Sequence, residues 1–597
     1  ADLGFVVGLK ERGYSYAALA GNALSAQVAP SARNAAQVAP SERNAAQVAP
    51  SERNAARFAP RDYADAQDNW RLVLEILGDI CANVIAPRAA EADEEGAHYE
   101  HGVVTYAKAT QAAIEAFRKS EILGAMLPWE YGGLNLPETV YQAMIEMVSR
   151  AEGGLMTIFG LQEIASTINE FADEDLKRRV LPRFARGEVF GAMVLTEPDA
   201  GSDLGSVQCR ARLDETTGKW HISGVKRFIT NGNADIHLVL ARSEEGSKDA
   251  RGLSMFFVER DGSVRIRRIE NKLGIHSSPT CEIQYNDTPA ELVGKRRFGL
   301  MRCAMSLMNG ARLAVAAQAV GIAEAAYREA RLYASERIQF GKAVDLLPAV
   351  ARMLVSMKCE IEAARALIFE TSVWVDTLKA CEQKQDELEK AGAPADPALI
   401  ARKKKASNLA DILTPMSKYY STEMGNRVCY KGMQVHGGVG YMREFNAERH
   451  YRDVRITNIY EGTSQLQVVA ALGKMLGRGL DVLLDAWAAA ADSDSADSSL
   501  KETRSRLAET VALFKECCDR LHGAERDVVD YFGADLMDMA AAVVNTSLLI
   551  RDSASCVRKV DMAKAYAAEH LPKALASGRA ILAGDMTPIL SKESILA

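Results

Sequence analysis

Val194–Asp203 reads VLTEPDAGSD, and the character of the chain changes across it. Before it lies a long stretch of helical hydrophobic spacing. After it come short β-rich runs separated by turn pairs. The stretch itself offers two hydroxyls, Thr196 and Ser202, around a Pro-x-x-Gly turn. Backbone amides in such a turn can point at an anion or at the edge of a ring. The same residues also suit an ordinary strand-turn.

Working outward on the N-terminal side, Asp62 to about Arg186 is helical in pattern. Trp70, Val73, Leu74, Ile76, Leu77 and Ile80 recur at helical spacing. Thr139 to Ala151 repeats the behaviour, and the Pro/Gly loop LPWEYGG (Leu127–Gly133) lies between. On the C-terminal side, Trp220–Ile222, Ile236–Ala241, Leu253–Val258 and Val264–Ile269 read as strands, bounded by turns such as Ser223-Gly224 and Asp261-Gly262. Helical spacing resumes from Leu300 to about Arg478. Ala488–Leu500 (AAAADSDSADSSL) reads as a linker, and a further helical stretch follows to about Leu582, with Leu507, Val511, Leu513 and Phe514 on one stripe. The expected division is an arm over 1–61, a helical domain over 62–186, a β domain over 187–298, a helical bundle over 299–487, and a linker with extra helices over 488–597.

Composition bounds the function. The chain has 597 residues, 48% hydrophobic and 25% charged, as in globular proteins. A formal net charge of −7 argues against a partner recognised by neutralising phosphates, hence against nucleic acid. The ten cysteines are scattered without a C-x-x-C pair, and the nine histidines lack metal-ligand spacing. Reduced thiols and no metal are expected. No apolar run reaches the ~18 residues of a membrane span, and Ala1 is not followed by a basic-then-apolar signal pattern, so the cytoplasm is the expected location. Near the start, AQVAPSARNA (Ala26–Ala35) is followed by two copies of AQVAPSERNA. A proline in every ten-residue unit prevents a continuous helix, so the segment is read as an arm without chemistry.

The familiar nucleotide loops are missing: no G-x-G-x-x-G follows a strand, and there is no G-x-x-x-x-G-K-[ST]. Other segments draw notice. KRFITNGN (Lys226–Asn233) is a strand running into an Asn-Gly pair, which by itself signals a hairpin. SERIQFGK (Ser335–Lys342) ends a long helix, and its Arg337 has the fork that suits a pyrophosphate. QVHGGVGYMREF (Gln434–Phe445) precedes IYEGTSQLQ (Ile459–Gln467) by about 25 residues. Glu461 lies in an apolar setting where desolvation raises a carboxylate toward the range of a general base. The competing reading is a helix cap, because a helical pattern starts just after it.

These segments, in this order and with KLGIHSSPT (Lys272–Thr280), resemble the acyl-CoA dehydrogenases over roughly Asp62 to Arg478. The resemblance implies a multi-domain α and β fold: an N-terminal helical domain, a middle β-barrel and a C-terminal four-helix bundle, here with an extra C-terminal helical domain. It implies FAD between barrel and bundle, completed by a neighbouring subunit. Carried over by motif, Met193, Leu195, Thr196, Gly201, Ser202, Phe228, Ile229 and Thr230 would face the flavin. Arg337, Gln339, Phe340, Gln434, Gly437 and Gly438 would reach a cofactor across the subunit interface, and Thr463 and Gln465 would complete the site. Ser202, Asn309, Arg312 and Gly462 would contact the acyl-CoA, and Glu461 would be the catalytic base. Some members carry the base just before an Arg in the bundle. Here Ala311 stands before Arg312 and cannot take a proton, which selects Glu461. One departure is Leu347-Pro348, where most relatives have a polar pair.

The resemblance implies α,β-dehydrogenation of an acyl-CoA to a trans-2-enoyl-CoA, as in β-oxidation, with electrons passed to an electron-transfer flavoprotein. An oxidase using oxygen is the near alternative. A DNA-binding branch of the family is the distant one, and the net charge weighs against it. A homodimer or homotetramer is expected, and the C-terminal extension would cover the face where a second dimer packs in tetrameric relatives.

Overall fold

The computed structural model describes residues 3–14, 59–491 and 497–597. The ten-residue repeat and part of the expected linker lie outside them.

The chain does not begin as an arm throughout. Helix α1 (Leu3–Lys10) packs against the bundle, with Val6 and Val7 buried. Lys10 Nζ donates to Leu136 O at 2.6 Å, and the buried Glu11 accepts from Trp129 Nε1 at 3.0 Å and Asn135 Nδ2 at 2.8 Å. A short apolar stretch followed by Lys-Glu had nothing in its own sequence to show this. Its partners are more than a hundred residues away.

The N-terminal domain contains α2 (Tyr63–Ile80), α3 (Lys108–Lys119), α4 (Glu138–Ala151), α5 (Leu155–Gly160), α6 (Ile164–Phe171) and α7 (Glu174–Ala185). Asp62 caps α2 by accepting from Asp65 N. Leu77 and Ile80 are buried, whereas Ile76 is exposed and falls outside the predicted stripe. A hairpin of β1 (His98–Glu100) and β2 (Val103–Thr105) interrupts this otherwise helical domain.

The middle domain has β3 (Gly191–Val194), β4 (Arg210–Asp214), β5 (Lys219–Thr230), β6 (Ile236–Arg242), β7 (Leu253–Glu259), β8 (Val264–Ile269) and β9 (Thr280–Val293). Pairing runs β6-β4-β5-β9-β7 and returns to β6, so five strands close a barrel, with β3 added beside β6 and β8 beside β9. Strand β9 touches three others, yet its turn-forming residues Asn286, Asp287 and Pro289 hide it from a reading by periodicity.

The C-terminal domain is a bundle of α8 (Met305–Glu336), α9 (Pro348–Lys390), α10 (Pro397–His436) and α11 (Ser464–Leu476). Pro348 occupies the first turn of α9, where its missing N–H goes unneeded. Between α8 and α9 lies a small hairpin of β10 (Ile338–Gln339) and β11 (Lys342–Ala343).

Helix α12 (Asp481–Ala491) runs through the start of the expected linker. Three long helices follow, α13 (Lys501–Leu521), α14 (Arg526–Ser553) and α15 (Arg558–Ala583), and they pack on α9 and α11 of the bundle. Helix α14 alone among the described residues is long and apolar enough to cross a membrane, and 83% of its most apolar window is buried inside the protein. Its apolarity is satisfied by the protein's own core. All ten cysteines are free thiols, and nine are buried.

The docking of α1 predicts the effect of Glu11→Ala. It leaves the buried Trp129 and Asn135 donors without an acceptor, so unfolding stability should fall by about 1–3 kcal/mol. Urea unfolding followed by circular dichroism measures this, and an unchanged midpoint would mean that α1 does not dock.

Candidate active site

The VLTEPDAGSD stretch leaves β3 and turns at once. Glu197 and Ala200 exchange backbone hydrogen bonds across Pro198, with N–O distances of 3.1 and 3.2 Å. A buried charge pair holds the turn down. The Glu197 carboxylate accepts from Gln208 N at 2.7 Å and Cys209 N at 2.9 Å, and Lys226 Nζ lies 2.9 Å from it. Lys226, which is fully buried on β5, also donates to Leu195 O at 2.8 Å. Arg227 N donates to Thr196 O at 3.0 Å. Strand β5 and the turn are thus tied side by side.

Beyond that tie β5 bulges. Phe228 adopts φ of +60° and is 52% exposed, with the Arg227 guanidinium over its ring at 4.6 Å. Ile229 returns to the core and Thr230 faces a cavity. The Asn-Gly pair that follows does not make a hairpin. Asn231 is buried, donates to Gly191 O at 3.2 Å and accepts from the Tyr106 hydroxyl, while β5 pairs with β4 and β9.

Glu461 lies across that cavity. Helix α11 begins at Ser464 with Thr463 at its N-cap, so Glu461 precedes the helix and does not cap it. Its φ is +54°, a left-handed conformation that strains a residue with a Cβ, and Gly462 follows at +88°, where glycine alone is at ease. The strained pair is clamped from both sides. Lys418 Nζ on α10 donates to Gly462 O at 2.6 Å. Gln467 Nε2 donates to Glu461 O at 3.2 Å and Gly462 O at 2.9 Å. On the preceding side the Tyr460 hydroxyl donates to Gln318 Oε1, and Gln318 Nε2 donates to Gly153 O at 2.8 Å.

Burial pushes Glu461 up to about 7, and the Lys418 and Arg312 cations hold it from rising further. Burial pushes Lys418 down to about 7, opposed by Glu461. A buried ammonium and a half-buried carboxyl therefore sit near neutrality together. Arg312 is buried as well. Asn309 Oδ1 accepts from its Nη1 at 2.9 Å, and its Nε is buried without a partner.

The cavity is partly open, and its empty space including the mouth is about 520 Å³. Met193, Thr230, Ala311, Tyr460 and Glu461 border it, and most of its remaining wall is apolar. The fold thus brings Met193, Thr230 and Glu461 to one space, with Arg312 and Gly462 beside Glu461. Gly201, Ser202, Asn309 and Gln465 lie on the surface. Arg337, Gln339, Phe340, Gln434, Gly437 and Gly438 are also exposed, but elsewhere. Their two segments are neighbours, because Tyr333 stacks on His436 at 4.7 Å. They stand at the far end of α8 from Asn309 and Arg312. At 1.5 Å per residue that is about 40 Å away. Reasoning from sequence missed Glu197, Lys226, Gln318, Lys418 and Gln467. The clue for Lys418 was a lone charge on an otherwise uncharged turn of helix, PMSKYYS.

A thioether (Met193) and a hydroxyl (Thr230) bordering one cavity, with the exposed Phe228 ring two residues before Thr230 on the same strand, fit the edge and face of a flat heterocycle. The match to known families is consistent with this. Residues 68–188 match the acyl-CoA dehydrogenase N-terminal domain, 192–288 its middle domain, and 301–394 with 398–472 its C-terminal domain. The chain belongs to the acyl-CoA dehydrogenase family, FAD-dependent oxidoreductases. It is 33% identical over 489 residues to the 3-methylmercaptopropionyl-CoA dehydrogenase of Ruegeria pomeroyi, covering 76% of this chain and 79% of that one. A solved acyl-CoA dehydrogenase from Bacillus anthracis, complexed with FAD, shares the fold at a TM-score of 0.71 and 22% identity, over 86% of this chain and 88% of that one. A chain in a structure described as the electron transferring flavoprotein of Acidaminococcus fermentans matches at a TM-score of 0.57 and 29% identity, over 68% of this chain and 97% of that one.

The Lys418–Glu461 pair predicts a shift in pH dependence. Lys418→Met removes a cation that favours the Glu461 carboxylate, so the proton on Glu461 is held more tightly. The ionisation of Glu461 should move above 7 by about one unit, or roughly 1.4 kcal/mol. The rising limb of flavin reduction against pH should move up with it, while Lys418→Arg keeps it nearer the parent. An unmoved limb in Lys418→Met would disconnect the two groups.

Proposed function

We propose that this protein removes two hydrogens from the α and β carbons of an acyl-CoA thioester, giving the trans-2-enoyl-CoA, with Glu461 as the base. The observation that carries the reading is the placement of Glu461: a carboxyl on a strained, clamped turn, bordering a mostly apolar cavity, with burial setting it near 7. A carboxylate of that basicity is matched to proton abstraction at neutral pH. Ala311, on the wall where some relatives carry their base, offers no competing group.

The α-proton goes to the Glu461 carboxylate, and the C–H electrons enter the new double bond as a hydride leaves the β-carbon. Bound FAD would accept that hydride at N5 and pass the electron pair onward. The Glu461 N–H has no acceptor among the described residues, which leaves it free to donate to the thioester oxygen as negative charge builds there. Lys418 and Gln467 hold the Glu461–Gly462 carbonyls, so the turn keeps its orientation. Arg312 places a second cation near the carboxylate. Thr196, Thr230 and Phe228 would hold the flavin ring, with Met193, Leu195, Gly201, Ser202 and Ile229 in the segments that carry them. Thr463 and Gln465 would complete the cofactor site, and Ser202, Asn309, Arg312 and Gly462 would contact the acyl-CoA.

The roughly 40 Å between the two ends of α8 supports a role for Arg337, Gln339, Phe340, Gln434, Gly437 and Gly438 at a second subunit's FAD. Phe340 is 89% exposed at the tip of its hairpin, as an intersubunit contact would be in a lone chain. The helices α13–α15 cover one face of the bundle, which favours a homodimer over a homotetramer. Electrons pass to an electron-transfer flavoprotein, a reading supported by the match to the Acidaminococcus fermentans structure. The name of the Ruegeria pomeroyi relative puts short thioether-bearing chains among the substrates to try.

Three outcomes are expected. Glu461→Gln should retain FAD and lose at least about a thousandfold in acyl-CoA-dependent bleaching of the flavin; near-parental bleaching would remove Glu461 as the base. In the parent enzyme, kcat/KM should rise as pH passes through about 7, because the carboxylate form is the base. Light scattering should give the mass of two chains, and a four-chain mass would overturn the dimer.

A further inference from the structure

The cavity holds a second carboxyl that the reaction above does not use. Glu163 ends the turn Leu161–Glu163 between α5 and α6 and borders the same space as Glu461. No described residue hydrogen-bonds to its carboxyl; only burial and charges at a distance act on it. Gly310 on α8 makes room for it, since a Cβ at that position would stand 3.0 Å from Glu163 Oε1. Two other polar groups on the cavity wall are already engaged. The Thr157 hydroxyl bonds Gly154 O at 2.8 Å and Ser278 Oγ at 2.6 Å, and the Tyr460 hydroxyl bonds Gln318. Glu163 is therefore a polar group left open toward the substrate side of an apolar chamber. A half-buried carboxyl that faces a ligand cavity and has no protein partner is free to bond a group on the ligand.

The surroundings say what kind of partner. Burial, aided by the Glu138 carboxylate, pushes Glu163 up to about 8, while Lys379 and Lys10 pull against it. At neutral pH the group is the neutral acid, with one O–H donor and one carbonyl acceptor. A chain ending in a carboxylate would meet the Glu138 carboxylate, with Lys379 and Lys10 already set against it. A cationic chain would have to give up its water inside mostly apolar walls. A hydrocarbon chain would leave Glu163 unpartnered. Lys10 belongs to α1, so the N-terminal helix contributes to the charge balance behind this wall.

We propose that Glu163 is a specificity-determining residue that hydrogen-bonds a neutral heteroatom on the acyl chain, so that the substrates are acyl-CoA thioesters bearing a hydroxyl, ether or thioether group. A hydroxyl complements both oxygens of the acid; an ether or thioether takes its O–H. The inference rests on the dehydrogenation reading and names the substrate class of that same site.

The test uses the full-length FAD-loaded enzyme and matched acyl-CoA pairs. Each pair sets a straight saturated chain against counterparts of equal length with oxygen, sulfur or hydroxyl replacing one group beyond the β-carbon. The best heteroatom member should exceed its hydrocarbon partner in kcat/KM by about tenfold or more. Glu163→Gln, which still offers a donor and an acceptor, should keep the preference. Glu163→Leu should reverse it while retaining FAD and turnover of the hydrocarbon series. A parent enzyme that prefers the hydrocarbon in every pair overturns the proposal, and so does a preference that Glu163→Leu leaves unchanged. If no acyl-CoA of either series bleaches the flavin, it is the dehydrogenation reading that fails. Turnover of both series without preference sinks the Glu163 assignment alone.

Discussion

The contact on which the site depends joins a buried ammonium to the carbonyl next to a half-buried carboxyl. Lys418 has no exposed surface, and its Nζ is held by the Gly462 carbonyl next to Glu461. Each group alone would be driven to its neutral form by the loss of water. Together they hold one another near neutrality. The backbone shares in the arrangement. A left-handed non-glycine residue carries strain of order 1–2 kcal/mol. Hydrogen bonds from Lys418 and Gln467 to the two carbonyls offset it.

Three helices are needed to make that contact. Helix α10 delivers Lys418 from its middle, α11 supplies Gln467 from its first turn, and α8 supplies Gln318 and Arg312. The barrel has a buried ion pair of its own, Glu197 with Lys226, that anchors a turn to a strand. Both pairs stand beneath backbone that must keep an unusual shape: the turn after β3 in one case, the Glu461–Gly462 turn in the other. Breaking either would leave an uncompensated charge in the interior, which is why neither is interchangeable with a surface ion pair.

Much of this was legible in the sequence because it is local. The change from helical to strand spacing at Val194 is a matter of side-chain periodicity, and the motifs around Thr196, Thr230 and Glu461 are contiguous strings. What was hidden is what depends on distant partners. Strand β9 was masked by Asn286, Asp287 and Pro289, residues that belong to turns until three other strands pair with them. Helix α1 looked like part of an arm because Glu11 finds Trp129 and Asn135 only after folding. Ile76 fits the helical stripe by spacing, yet it stays 38% exposed.

The sequence by itself determined the family, the order of helical and β domains, and the candidate base, since Ala311 cannot carry a proton and Glu461 can. Only the tertiary structure decided how that carboxyl is tuned, because proton affinity depends on burial and neighbouring charge, and Lys418 and Arg312 lie far from Glu461 along the chain. It likewise decided that Glu163 opens into the same cavity. A glutamate in a helical stretch is written the same way whether it meets water or the inside of a pocket, and folding alone settles which surrounds it.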